Sequence, residues 1–308
     1  MKNKIKNVML LFCLISIPSS IFGQAETIFN NIHFNESLEI VNKKIKEISE
    51  TTNVINVESP SFPLAANKEA HLVCKNIKTK NGTIVEMVLT FADDKLVYIE
   101  AHGNVIKSIV DIREDKVMDY LIYKVYPSDL LVANVEKDIV WMLTKDGGKL
   151  NLFTWNNPYL HSSSISIPVY KPSSTKIPEF LKMNGELDKL RPILNEKSAL
   201  VFEEELDGSD PTAQLQLNCL GIVYAGFPRS VEARFGNGKL NTVWILTGKP
   251  EEKRIRERLI KSFGKSIYVN DKWEVFNNWQ VYLRKDKTEI LLTNKALGLE
   301  RKKEILKL

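Results

Sequence analysis

Catalysis or metal binding needs reactive side chains that can be brought together, so the histidines, cysteines and acid-rich stretches of this 308-residue sequence come first. His33, His71, His102 and His161 are scattered, and no HExxH, CxxC or EF-hand loop supplies the short spacings of a metal site. The most acidic stretch, "FEEELDGSDP" at 202–211, could offer Asp207 and Asp210 to calcium. It lacks the regular oxygen spacing of a calcium loop and reads as a solvated loop. There is no GxSxG elbow, and "HSSSIS" places serines beside His161 in sequence only. Asp93 and Asp94 are turn residues, and the glycines of "FGNG" and "DGGK" read as hairpin glycines, not as a phosphate cradle. No catalytic, cofactor-binding or metal-binding residue is assigned. The expectation is a non-enzymatic binding protein without a cofactor, with a secreted hydrolase assembled from dispersed residues as the alternative.

Two other residue classes matter more. Cys74 lies 17 residues before Phe91, and Cys219 lies 16 before Phe235. An even number of cysteines in an oxidising compartment invites a disulfide between them, with two buried free thiols as the alternative. Trp244, Trp273, Trp279 and Tyr282, with Tyr268 and Phe276, are concentrated in the last third of the chain. Most are expected in a core. Any that stands on an open sheet face is a candidate anchor for a protein partner or a glycan, because large rigid rings bring contact area at small entropic cost.

The segment "MKNKIKNVMLLFCLISIPSSIFGQ" has a basic head, an apolar centre and a short polar end, the order of a secretory signal peptide over 1–23 with cleavage after Gly23. Bulky Phe12 before Cys13, and an apolar run continuing to Ile17, argue against lipidation there. The expectation is export to a periplasm or to the cell exterior, and no later segment is long enough to span a bilayer. Removing residues 1–23 takes three lysines and no acid, leaving 40 basic and 38 acidic residues. A balance so near neutrality gives nucleic-acid binding no support. The runs "KRIRERLIKS" and "ERKKEILKL" interleave acids and read as solvated helix faces.

The elements that must position these residues follow a repeated pattern. F-x-[D/N]-x-K-L-x-x-[I/V] occurs as Phe91, Asp93, Lys95, Leu96, Ile99 and again as Phe235, Asn237, Lys239, Leu240, Val243. Each copy has turn chemistry between alternating apolar residues and predicts a β-hairpin. "HLVCKNI" and "LQLNCLGIVYAG" each predict a strand before its hairpin. After the second hairpin, Pro250, the acids at 251–252, the Ile255/Leu259/Phe263 stripe and Gly264 predict a helix. After the first, "REDKVMDYLIYK" is the expected counterpart helix, with Val117, Tyr120 and Leu121 on one face and "NVIKSIVDI" as an inserted strand. "DIVWMLTKDGGKLNLFTW" reads as two strands about a "KDGG" turn, and "KWEVFNNWQVYLRKDKTEILLTN" as three. "VWMLT" at 140–144 looks like "VWILT" at 243–247, but the hairpin register sets it against the region of Trp273.

Helical leaders are expected at 36–52, with Asn35 as N-cap, and within "IPEFLKMNGELDKLRPIL", interrupted by Gly185 and ended by Pro192. The Ser- and Pro-rich 158–177 reads as a linker between units at 24–157 and 178–308. The fold class is thus α+β, two related units, each an antiparallel sheet with helices packed on one face.

The residues "FGNGKLNTVWILTG" with "RERLIKSFG", and faintly "FADDKLVYI", carry a resemblance. Their order is similar to the small α+β repeats of bacterial periplasmic proteins of the β-lactamase inhibitor protein type and the SmpA/OmlA outer-membrane assembly type. The resemblance implies a helix layer against an antiparallel sheet, and action by binding other proteins. It transfers no binding residue, and the chain departs from those families in its extra strands and in lacking a lipidated cysteine.

Overall fold

A computed structural model describes residue 29 and residues 31–160 and 175–307. The signal-peptide segment, "HSSSIS" and His161 lie outside the described residues. The chain divides into two compact units, residues 1–169 and 170–308, and the division falls within 158–177.

The first unit runs from helix α1 (Leu38–Lys46) through β1 (Ser49–Val57), β2 (Glu69–Thr79), β3 (Gly82–Ala92) and β4 (Lys95–His102). It continues with β5 (Met118–Tyr120), β6 (Tyr123–Tyr126), β7 (Leu131–Asn134), β8 (Ile139–Leu143) and helix α2 (Lys145–Lys149). The second repeats the order: α3 (Leu187–Lys197), β9 (Leu200–Glu205), β10 (Leu215–Tyr224), β11 (Phe227–Gly236) and β12 (Lys239–Leu246). Helix α4 (Glu252–Phe263), β13 (Tyr268–Val269), β14 (Trp273–Phe276), β15 (Val281–Arg284), β16 (Glu289–Thr293) and α5 (Lys295–Leu306) complete it.

Each unit is an eight-stranded antiparallel sheet, ordered β1-β2-β3-β4-β8-β7-β6-β5 in the first and β9-β10-β11-β12-β16-β15-β14-β13 in the second. The two units are copies of one topology. The pairing registers match around the cysteines and the hairpin: Met87 faces Cys74 as Val231 faces Cys219, and a register shift falls just before Phe91 in one copy and just before Phe235 in the other, while β10 and β11 have a further shift between Leu220 and Ile222 that β2 and β3 lack. The hairpin turns are the ones the right-handed strand twist favours, since Asp93 and Asp94, and Asn237 and Gly238, all have positive φ. The leader docks on this turn in the same way twice. Asn35 N–H donates to the Leu96 carbonyl at 2.9 Å, and Asn184 N–H to the Leu240 carbonyl at 2.7 Å.

One sheet face is apolar and covered by helix. In the first unit, Val41 and Ile45 of α1 join Leu72, Cys74, Leu89, Phe91 and Ile99. In the second, Leu190 and Leu194 of α3 and Ile255 and Leu259 of α4 join Leu217, Cys219, Ala233, Phe235 and Val243. Helix α4 is set by a buried ion pair: both oxygens of Glu251 take bonds from Arg229, at 2.5 and 2.9 Å, and the Gly248 N–H donates to the same carboxylate.

Several expectations are corrected. "REDKVMDYLIYK" is not a helix but β5, a turn and β6, because Arg113 is pinned by Asp115 and Asp129 and lies 4.7 Å over the Tyr126 ring. Where α4 stands in the second copy, the first has a single π-helical turn, Ile106–Val110, so "NVIKSIVDI" is a shortened helix and not an added strand. "KDGGK" is the helix α2, because the Thr144 hydroxyl accepts the Gly147 N–H and caps it. Asn294 caps α5 in the same manner. Ser37, not Asn35, caps α1, which ends before Ile48, and Pro192 lies inside α3 without ending it. "VWMLT" and "VWILT" are non-equivalent strands: Trp141 in β8 faces Glu100, and its counterpart is Leu291, which faces Trp244.

Cys74 and Cys219 are free thiols, each buried in the core of its own unit, so the disulfide is not formed.

Candidate functional site

The second face of each sheet is where the copies diverge. In the first unit it carries a polar ladder. His71 Nε2 lies 2.8 Å from Glu69 Oε1 and its Nδ1 lies 3.0 Å from Thr90 Oγ1; the other Glu69 oxygen accepts the Ser61 and Phe62 N–H groups. Tyr98 donates to Glu100 at 2.6 Å, and Glu100 meets His102 at 2.7 Å. Thr90–His71–Glu69 has the residue types of a nucleophile, a base and an orienting acid. It is nevertheless closed: Tyr159 stacks on His71 at 4.0 Å, Trp155 lies against Phe62 and Tyr98, and Thr90 and His71 have no exposed surface. Burial lowers the His71 pKa against the pull of Glu69, so the imidazole is neutral and sealed.

The same lattice positions in the second unit carry Gln216, Arg234, Thr242 and Trp244 in place of His71, Thr90, Tyr98 and Glu100. Here the face stays partly open. Trp244 on β12 and Trp273 on β14 are half-buried, with ring centroids 6.3 Å apart. Arg284 of β15 lies 5.9 Å from the Trp244 ring and 5.7 Å from that of Trp273, held there by Asp286 at 2.7 Å and Glu289 at 3.1 Å. Arg301 of α5 approaches the Trp244 ring at 6.0 Å, Lys272 that of Trp273 at 5.7 Å, and Lys302 that of Trp279 at 5.7 Å. These three cations make no ion pair with a carboxylate among the described residues. "ERKKEILKL" is therefore only partly a solvated face, since two of its cations cover tryptophans.

Of the four aromatic candidates, the structure gathers all on this one face and divides their roles. Tyr282 is buried; its hydroxyl donates to the Trp279 carbonyl at 2.7 Å and the Gly298 carbonyl at 3.2 Å, which seats α5. Burial pushes the Tyr282 hydroxyl up to about 12, so it stays a donor. Trp279 is only 9% exposed and packs with Tyr268, Ile305 and Leu306. In the second unit α5 thus covers part of the second face, as the segment carrying Trp155 and Tyr159 does in the first. Trp244 and Trp273 remain as the accessible pair.

Beside them lies Glu232, which faces Trp244 across β11 and β12. Burial holds its carboxyl above the usual carboxylate range; Arg234 opposes this, while Glu289 and Glu204 reinforce it. Sequence reading missed Glu232, Arg284 and Arg301, because their proximity to the tryptophans exists only across strands. The acid-rich loop shows turn chemistry: Asp207 accepts the Ser209 N–H and Asp210 the Thr212 N–H. Among the described residues, no cluster of three or more His, Cys, Asp or Glu side chains could hold a metal ion, and no helix is long and apolar enough to cross a membrane. An open groove of about 450 Å³ at the start of β1, beside Glu50, Asn76 and Lys78, contains no histidine, cysteine or tryptophan.

Comparison of the chain with family models, curated proteins and solved structures finds no match. Its function has to be argued from its own geometry.

Proposed function

We propose that the protein is an exported, non-enzymatic binding module of a bacterial cell envelope, periplasmic or extracellular, and that it holds a protein or other envelope partner against Trp244 and Trp273. The observation that carries the reading is the contrast between the copies: one second face is sealed over its histidine ladder, and the other leaves two indoles half-exposed, ordered by Arg284. Rigid aromatic surface fixed in advance by cation–π contacts loses little entropy on binding, which is the property of an interface anchor. The likeness to small periplasmic α+β repeats and the basic-apolar N-terminal segment support export and a binding role.

The test is a photo-crosslinking residue at position 273 in native envelopes, with exposed Val223 as the control position. A discrete adduct at 273, absent at 223 and lost with Trp244→Ala, is expected. The competing hydrolase reading draws on Glu232, whose carboxyl burial holds above the usual carboxylate range beside the half-buried Trp244 indole. Turnover of a glycan or peptide panel that disappears with Glu232→Gln, together with no adduct at 273, would replace the binding reading.

A further inference from the structure

β1 is an edge of the first sheet, with β2 as its sheet neighbour, and β9 is the equivalent edge of the second. The registers fix the equivalence: Thr52 faces Cys74 as Val201 faces Cys219. By that register Val54, Ile55 and Asn56 stand where the second edge carries Glu203, Glu204 and Glu205. An edge strand presents unpaired amides and carbonyls to any passing chain, and short length or charged side chains are the usual protection. β9 has both, at six residues and three glutamates. β1 has neither, at nine residues with Glu50 as its single charge.

The sequence of β1 is also compatible with itself. Full antiparallel overlap of Ser49–Val57 on a second copy centres on Asn53 and sets Glu50 against Asn56, Thr51 against Ile55 and Thr52 against Val54. No like charges meet, and β-branched residues oppose one another. The same operation on β9 sets Glu203, Glu204 and Glu205 against Phe202, Val201 and Leu200, so every pair opposes a carboxylate to an apolar side chain.

We propose that β1 is a self-association edge, through which two copies of the chain join their first sheets by antiparallel β1–β1 pairing about a two-fold axis. The contact is isologous and closes at the dimer. It is independent of the Trp244 face.

Sedimentation of the purified protein over a range of concentrations tests it. A dimer that dissociates on dilution is expected, with amide hydrogens of β1 slowing in exchange as the dimer forms. Asn56 is exposed, so Asn56→Glu keeps the fold, which the thermal midpoint checks. It places a carboxylate opposite Glu50 twice in the interface and raises the dissociation constant about tenfold. Glu50→Lys combined with Asn56→Glu restores the affinity. A monomer up to the solubility limit, association only with a different polypeptide, or a dimer indifferent to both substitutions overturns the proposal.

Discussion

Cys74 and Cys219 occupy one position in two copies: each thiol points at the carbonyl two residues back, Leu72 at 3.9 Å and Leu217 at 3.8 Å. A serine hydroxyl lies beside each, Ser49 at the start of β1 and Ser198 at the end of α3. Burial pushes both thiols up to about 12. Neither cysteine is therefore expected to react with a maleimide in the folded protein, and both should react in denaturant. Mass analysis without reductant checks the same point, since two free thiols are expected whatever the oxidation conditions of the compartment.

Acid should loosen the first unit before the second. His71 has a folded pKa below its ordinary 6.5, chiefly through burial, and Glu69 one below its ordinary 4.5, where the bonds from His71, Phe62 and Ser61 outweigh burial. As pH falls below 6.5, the unfolded chain takes a proton on the imidazole that the folded chain refuses, and Glu69 adds a loss of the same sign below 4.5. Stability is thus complete above neutrality and falls on acidification. Thermal midpoints measured between pH 8 and pH 4, in roughly unit steps, should drop less in His71→Gln than in the parent. His71→Ala at neutral pH leaves Glu69 buried without its partner and should cost about 3 kcal/mol in urea unfolding.

Breaking the Arg229–Glu251 pair should release α4. Both side chains are essentially inaccessible, at 2% and 0% exposure, and without Arg229 the buried Glu251 keeps only Arg254, at 3.2 Å, and the Gly248 N–H. Arg229→Ala is expected to cost about 3 to 5 kcal/mol, whereas Arg229→Met with Glu251→Leu should recover most of that loss. Urea midpoints of the two variants decide between a net-stabilising pair and one that matters mainly because half of it cannot be left behind.

On the aromatic face, stability and binding should separate. Trp244→Ala is half-buried and should cost about 2 kcal/mol of stability, with a loss of adduct formation at 273 far exceeding any unfolding. Tyr282→Phe removes two hydroxyl contacts and should cost about 1 kcal/mol, read as faster amide exchange in α5. Gly298→Ala is the stronger disruption of that helix. A Cβ there would sit 2.1 Å from the Trp279 carbonyl, so α5 must lift from the face.

The repeat was readable because hairpin turns are local. Positive φ at Asp93, Asp94, Asn237 and Gly238 is a property of those residues themselves, and the flanking alternation names the strands. The α4 helix was readable for the same reason, since its N-terminal proline turn, apolar stripe and closing glycine lie within one short segment. Where local signals were weak, tertiary contacts decided. "REDKVMDYLIYK" has a helical spacing, but Arg113 bonded to Asp115, Asp129 and Ser128 fixes it as loop and strand. "KDGG" could turn a hairpin as well as open a helix, and the Thr144 cap chose the helix.

By itself, the sequence determined two copies of a hairpin-centred α+β unit and a set of aromatic candidates in the second copy. Only the tertiary structure decided that Trp244 and Trp273 stay half-open while Trp279 and Tyr282 are spent on seating α5. Neighbours across a sheet are set by strand order, and β16 lies between β12 and β15 although it follows both in the chain. Pairing of that range carries no short-range signature, which is why the face that divides the two copies became visible only when the sheets were assembled.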